Sequence, residues 1–411
     1  MGNKRQEIMS RFYSYEPDQA YLLPPNVKDV LGAAHLCFHV HRVVEALDVS
    51  RFEQAYGVEG RLAYPPRMML KVWLYAFCLG LTSTRRLEQR IREDLAFRYL
   101  AGGLTPDHKT LSEFLRRHGR ALNDVFTQVL ELARGAGWVR LGHVAIDSTR
   151  VRANASRYRV REGEPARRDQ RAGDRRQVRR FQQKALEQGA QENAGLKVDA
   201  SESRRLEQVL EQSGGGLKPL PKRSRQPVSE TDPDSRFLRS RQGWVLGYTA
   251  DLAVSDDHFI VATRVTQAAT DNASLVPMLD QVEQQCGQRP ERVTADSGFF
   301  SGAGINRCGE RGIDAYVPDN NLTHEINTGE VCRGIGRTTI RDPEHLRMRE
   351  KLRSDAGRKL YRRRQAVVEP VFGILKEQRG MRQFRRRGLA AVTTEWLLAV
   401  IAYNIAHMNK G

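Results

Sequence analysis

Apolar and polar positions follow two regimes along the chain, and the change between them falls near residue 140. Before it, apolar residues recur at helical spacing. The segment from Tyr64, YPPRMMLKVWLYAFCLGL, opens on prolines suited to a helix entry and then stays apolar for about four turns. Ser83 and Thr84 offer a cap for the next helix, in which Leu87, Ile91, Leu95 and Tyr99 recur every fourth position. Thr110 and Glu113 make a T-x-x-E capping box heading a helix with Leu111, Phe114 and Leu115. Gly119 separates it from a helix over 122–132.

From Gly142 the pattern becomes that of strands. HVAIDS is a short apolar strand ending in a carboxylate, and Trp244 to Thr266 alternates like a hairpin with Ser255, Asp256 and Asp257 at its tip. Asn272 and Asp271 can cap a helix over 273–283, which leads to the strand RVTADS. A helix over about 301–311 and a strand over 313–317 follow. This order predicts an α/β domain with a mixed sheet flanked by helices, the order of a ribonuclease-H-like fold. The chain thus divides into an all-α domain over 1–140 and an α/β domain over 141–411, interrupted by an insertion at about 155–230. Within the insertion, Arg, Gln and Glu with sparse apolar points (Val178, Leu186, Leu206, Val209, Leu210) predict long polar helices. A second irregular piece is expected from Pro318 to Pro343.

Composition narrows the classes. No uninterrupted apolar run approaches the roughly 18 residues that cross a bilayer, and Lys4, Arg5 and Glu7 are followed by no apolar signal region. The five cysteines form no Cys-x-x-Cys pair, so the expectation is a soluble protein of the reducing cytoplasm. Charge adds the first positive clue: the net is +18, and two segments hold it. Arg150–Glu230 carries 20 basic and 11 acidic residues, and Arg341–Gly388 carries 16 and 6. Such concentration, with Arg exceeding Lys, suits surfaces that meet a polyanion. The short N-terminal helices, one with Arg116, Arg117 and His118, then suit a helix-turn-helix DNA reader or, equally, a dimerisation bundle.

Asp147 and Asp296 each end a short apolar strand, where side chains leave the sheet edge and α/β sites form. Carboxylates from two adjacent strands are the minimum set that bridges paired Mg²⁺ ions. Glu369, in YRRRQAVVEPVFGILKEQRG, is the leading third acid, although Pro370 implies that a helix starts or bends there. Tyr361, Gln365, Phe372 and Lys376 fall near its helical face. Asp232 and Asp234 compete as ligands, but the prolines and serines around them read as a turn. His35, Cys37, His39 and His41 alternate as ligands of a soft metal would, yet ordinary packing is the better reading.

Taken together, AIDSTRVRANAS around Asp147, TDPDSR at Thr231–Arg236, TADSGFFS around Asp296 and the block Tyr361–Leu389 resemble the DDE transposases of bacterial insertion sequences. YPPRMMLKVWLYAFCLG and the closing AYNIAHMNK match in character, so the resemblance covers nearly the whole chain. It implies a helical N-terminal region, a ribonuclease-H-like core and an acidic triad of Asp147, Asp296 and Glu369 holding two Mg²⁺ or Mn²⁺ ions. It implies too that Tyr361, Arg364 and Lys376 hold DNA near the cut. Arg379, Arg385, Arg386 and Arg387 are further nucleic-acid candidates, because the Arg-rich block supplies phosphate contacts. One departure stands out: the arginine often found four residues before the glutamate is Gln365 here, and the arginine is Arg364. The implied partners are element terminal repeats, target DNA and a second copy of the chain, in a nucleoid-associated cytoplasmic setting without a membrane. The alternatives are a DNA-binding regulator without catalysis and a two-metal nuclease without strand transfer.

Overall fold

The computed structural model describes residues 26–56, 62–156, 158–165, 225–240, 243–328 and 343–409. Most of the basic insertion, with its expected long helices, lies outside the described residues.

Helices come first: α1 (Val27–Leu31), α2 (Leu36–Glu45), α3 (Ser50–Glu53), α4 (Pro66–Cys78), α5 (Thr84–Glu93), α6 (Leu95–Leu100), α7 (His108–His118) and α8 (Leu122–Gly135). Pro66 sits in the first turn of α4, where no N–H is needed, and every residue from Met68 to Phe77 is buried. A helix apolar on all sides belongs in the core. The single helix expected to carry Leu87 through Tyr99 is in fact two. Asp94 breaks it, because its carboxylate accepts the N–H groups of Ala96 and Phe97 and so caps α6, leaving Leu95 exposed. The capping box is also displaced: Asp107 accepts from the Thr110 N–H at 2.7 Å, and Glu113 pairs with Arg116. His35 caps α2 by accepting from the Cys37 N–H, and His39 bonds to the Ile405 carbonyl, so this quartet packs rather than ligates.

The strands are β1 (His143–Arg152), β2 (Val160–Pro165), β3 (Arg225–Ser229), β4 (Arg236–Ser240), β5 (Gly243–Ser255), β6 (Ile260–Thr266), β7 (Arg292–Ala295) and β8 (Asp314–Tyr316). β2 and β3 form a separate ribbon. In the six-stranded sheet, long β5 pairs antiparallel with β1, β4 and β6, while β1, β7 and β8 run parallel. This is the mixed sheet that the element order predicts. Gly247 permits the closest approach in it, since a Cβ there would lie 2.0 Å from the Val151 carbonyl oxygen.

The later helices are α9 (Leu275–Cys286), α10 (Gly302–Glu310), α11 (Asn320–Thr328), α12 (Pro343–Arg353), α13 (Asp355–Gly373) and α14 (Leu389–Met408). The segment read as irregular from Pro318 therefore begins with a helix, started by Asp319, which accepts from the Leu322 N–H. α14 is long and apolar enough to cross a membrane by composition, but it is a core helix packed on α2, α4, α8 and β6. Its Asn404 brackets the backbone of Ile260 with two hydrogen bonds, and its Trp396 donates to Thr263. Helical region and sheet thus share one hydrophobic core, so residue 140 marks a change of element type rather than a break in packing.

Candidate active site

β1 and β7 lie parallel with Ile146 opposite Ala295. One step further, where both strands end their pairing, stand Asp147 and Asp296. Burial pushes the Asp147 carboxyl up to about 6; Arg364 opposes the shift and the neighbouring Asp296 adds to it. Asp296 is raised too, by burial and by Asp271, again against Arg364.

Arg364 comes from the buried face of α13 and donates to Asp147 Oδ2 at 2.8 Å. Burial works against its charge, but Asp147, Tyr361 and Asp296 outweigh that and hold its pKa above the ordinary value. Tyr361, one turn earlier, is buried beside it, 5.8 Å from ring centroid to guanidinium. Glu369 is five residues beyond Arg364, about 140° round an ideal helix, and is exposed. α13 runs straight through Pro370 and ends in a π-turn at Ile374–Gln378. The convergence of three acids is thus not what the structure shows: among the described residues no three His, Cys, Asp or Glu side chains form a metal cage. The physical reason is helical phase, which turns Arg364 and Tyr361 toward the aspartates and Glu369 away.

Sequence reasoning missed Asp271. Read as a helix cap, it leaves that role to its backbone carbonyl, which accepts from the Ser274 N–H. Its carboxylate instead receives Ser148 Oγ at 2.8 Å and both terminal nitrogens of Arg150. A Cβ on Gly298 would fall 3.0 Å from Asp296 Oδ1 and 3.4 Å from Asp271 Oδ2, so glycine keeps open a gap between two carboxylates. Asp251, opposite Ser148 on β5, is fully buried with no well-formed hydrogen bond to either oxygen. Burial and Asp271 push it up to about 6. The density of acids along a strand edge was the available signal.

These residues suit a divalent cation. The donors are hard carboxylate oxygens, a cradle is held open at Gly298, and both oxygens of the fully buried Asp251 lack a well-formed hydrogen bond.

The basic candidates divide. Arg385 and Arg387 are exposed and Arg386 is half-buried. Lys376 lies over the Phe372 ring at 5.7 Å. Arg379 is a correction: it is only 7% exposed, packed on the Tyr403 ring, and burial lowers its pKa, so it presents nothing to a phosphate. Asp232 and Asp234 bind backbone rather than metal, accepting the N–H groups of Gly388 and Leu389.

Two family models match the chain. Transposase domain (DUF772) covers residues 25–117, and Transposase DDE domain covers residues 223–405. The chain carries the catalytic domain of a DDE transposase. No curated protein and no solved structure matches it. The transposase reaction is DNA cutting and strand transfer, and the family typically uses divalent metal ions. Asp296 and Glu369 fall inside the DDE match, whereas Asp147 lies between the two matched ranges.

Proposed function

We propose that Asp147, Asp296 and Glu369 are the acids of the transposase, and that they hold two Mg²⁺ or Mn²⁺ ions to cut element ends and join the 3′-hydroxyl to target DNA. The observation that carries this reading is the parallel register of β1 and β7, by which Asp147 and Asp296 follow one another just beyond the last pair, Ile146 and Ala295. Bound there, the ions would lower the pKa of an attacking water or 3′-hydroxyl and offset charge on the leaving oxygen.

The chain's own residues do the rest. Arg364 neutralises Asp147 in the metal-free protein and, released from it, is placed to meet a phosphate oxygen of the bound strand. Tyr361 backs that guanidinium, and Lys376, in the π-turn that follows α13, adds a second cation. Glu369 joins the aspartates after α13 turns or bends. Pro370 supplies the place, since it donates no backbone hydrogen bond, and the π-turn beyond it adds a second irregularity. Arg385, Arg386 and Arg387 contact the DNA backbone. The transposase works as a homodimer or larger assembly on terminal repeats and target DNA, in the nucleoid-associated cytoplasm.

The test is strand transfer. Wild-type protein with Mg²⁺, given a pre-cut duplex of the repeat flanking its own gene, is expected to insert the 3′-end into a supercoiled plasmid. Glu369→Gln is expected to abolish insertion while duplex binding persists. Metal-dependent nicking without insertion would instead identify a nuclease.

A further inference from the structure

The segment Gly380–Gly388 between the π-turn and α14 is a basic loop, and it is fixed along its whole length. Met381 and Phe384 are fully buried and anchor it. Its middle runs beside the end of β1: the Arg152 N–H donates to Arg382 at 3.1 Å, and the Phe384 N–H donates back to Arg152 at 2.9 Å. Asn154 donates to the Arg385 carbonyl at 2.7 Å, and Arg387 Nε donates to the Asn154 carbonyl at 2.8 Å.

Carboxylates hold the rest, and they hold backbone. Glu395 on α14, 2% exposed, accepts the N–H of Arg385 at 3.0 Å and the N–H of Arg386 at 2.9 Å. Asp232, fully buried, accepts Tyr248 Oη at 2.7 Å and the Gly388 N–H at 3.0 Å. Asp234 accepts the Leu389 N–H at 2.8 Å. Spending buried acids on N–H groups leaves the arginine heads outward. Among the described residues, no acidic side chain pairs with Arg385 or Arg387, whereas their neighbour Arg382 pairs with Glu377.

We infer that Glu395, Asp232 and Asp234 are positioning residues that pre-organise Arg385 and Arg387 as a rigid clamp for the DNA sugar-phosphate backbone. The inference rests on the proposed function for the location of the cut. Arg152, where the loop is stitched on, is five residues along β1 from Asp147, roughly 17 Å at about 3.3 Å per residue. Arg385 and Arg387, held at Asn154 two residues further on, therefore meet phosphates away from the scissile one rather than at it. Rigidity is the point of the design, because a pre-ordered loop loses little freedom when DNA binds.

The inference makes a prediction opposite in sign to plain electrostatics, by which removing an acid beside DNA tightens binding. Full-length protein is titrated, without metal, onto a fluorescent duplex of about thirty base pairs over a range of salt. Arg385→Ala/Arg387→Ala is expected to weaken binding on the order of tenfold and to make the salt slope shallower by about two, near one per phosphate contact. Glu395→Gln is expected to weaken binding as well, flatten the slope, and add nothing in the double-alanine background. Hydroxyl-radical footprints of both variants are expected to lose protection at one and the same position, away from the cut. An unchanged salt slope in Arg385→Ala/Arg387→Ala overturns the inference even if Glu395→Gln fails to fold. So does Glu395→Gln binding as tightly as wild type. Because no cutting is read, these outcomes are separate from those of the strand-transfer test.

Discussion

The Arg364 guanidinium donates to Asp147 Oδ2 at 2.8 Å, both side chains being largely buried, so an arginine stands where a divalent-metal enzyme needs a cation. Breaking one side of a buried pair leaves an uncompensated charge. Arg364→Ala is therefore expected to lower stability without metal by about 3 kcal/mol. Added Mg²⁺ should return much of that loss, because the ion replaces the missing charge. Thermal unfolding of wild type and variant, with and without Mg²⁺, checks both statements; equal metal effects in the two proteins would count against them.

Asp251 gives a pH dependence with a definite sign. Its folded-state pKa, about 6, lies above the ordinary carboxyl value, so its protonated form favours the fold. That contribution is present at low pH and is lost as pH rises through 6. Asp251→Asn, permanently neutral, should therefore gain stability relative to wild type as pH rises from about 4 to 7, by about 3 kcal/mol in all, of which roughly 1.4 kcal/mol falls between pH 5 and 8. The difference between the two proteins is the quantity to measure. His118, held by burial at about 4, works in the opposite direction in both proteins. A difference that stays flat from pH 5 to 8 in chemical denaturation would remove Asp251 from the account.

Gly298 separates the Asp296 and Asp271 carboxylates. An added methyl group would lie 3.0 Å from Asp296 Oδ1, tighter than a carbon and an oxygen sit comfortably. Gly298→Ala is expected to weaken divalent-metal binding at least tenfold, about 1.4 kcal/mol, with a smaller effect on the unfolding midpoint. Calorimetric titration with Mn²⁺ measures the first and thermal unfolding the second. Wild-type Mn²⁺ affinity in the variant would show that the gap has no role.

Much of this arrangement was legible in the sequence, for reasons specific to each residue. An apolar run that stops at an acid points to Asp147 and Asp296, but β1 runs on to Arg152, so Asp147 stands mid-strand opposite Leu252 and only Asp296 lies past the end of its strand. Leu87 and Ile91 were found because their spacing matches the helix period, but the same spacing ran on falsely to Leu95, where a capping Asp94 restarts the chain. Asp271 was missed because an Asp before a helix is usually its cap, and only the tertiary neighbours Ser148 and Arg150 turn it elsewhere. Arg379 was misassigned because a basic run does not reveal which member faces Tyr403 in the core. Glu369 follows from its motif, yet the phase of the helix that carries it decides where its carboxylate stands.

The central claim is that the neighbouring carboxylates of Asp147, midway along β1, and Asp296, just past the end of β7, make DNA cutting depend on divalent metal. It is tested most directly by nicking of a duplex bearing the terminal repeat, comparing wild type with Asp296→Asn at saturating DNA and Mg²⁺. The account expects metal-dependent nicking by wild type and a rate at least about a thousandfold lower in the variant, some 4 kcal/mol of barrier. Equal nicking by the two proteins would contradict it.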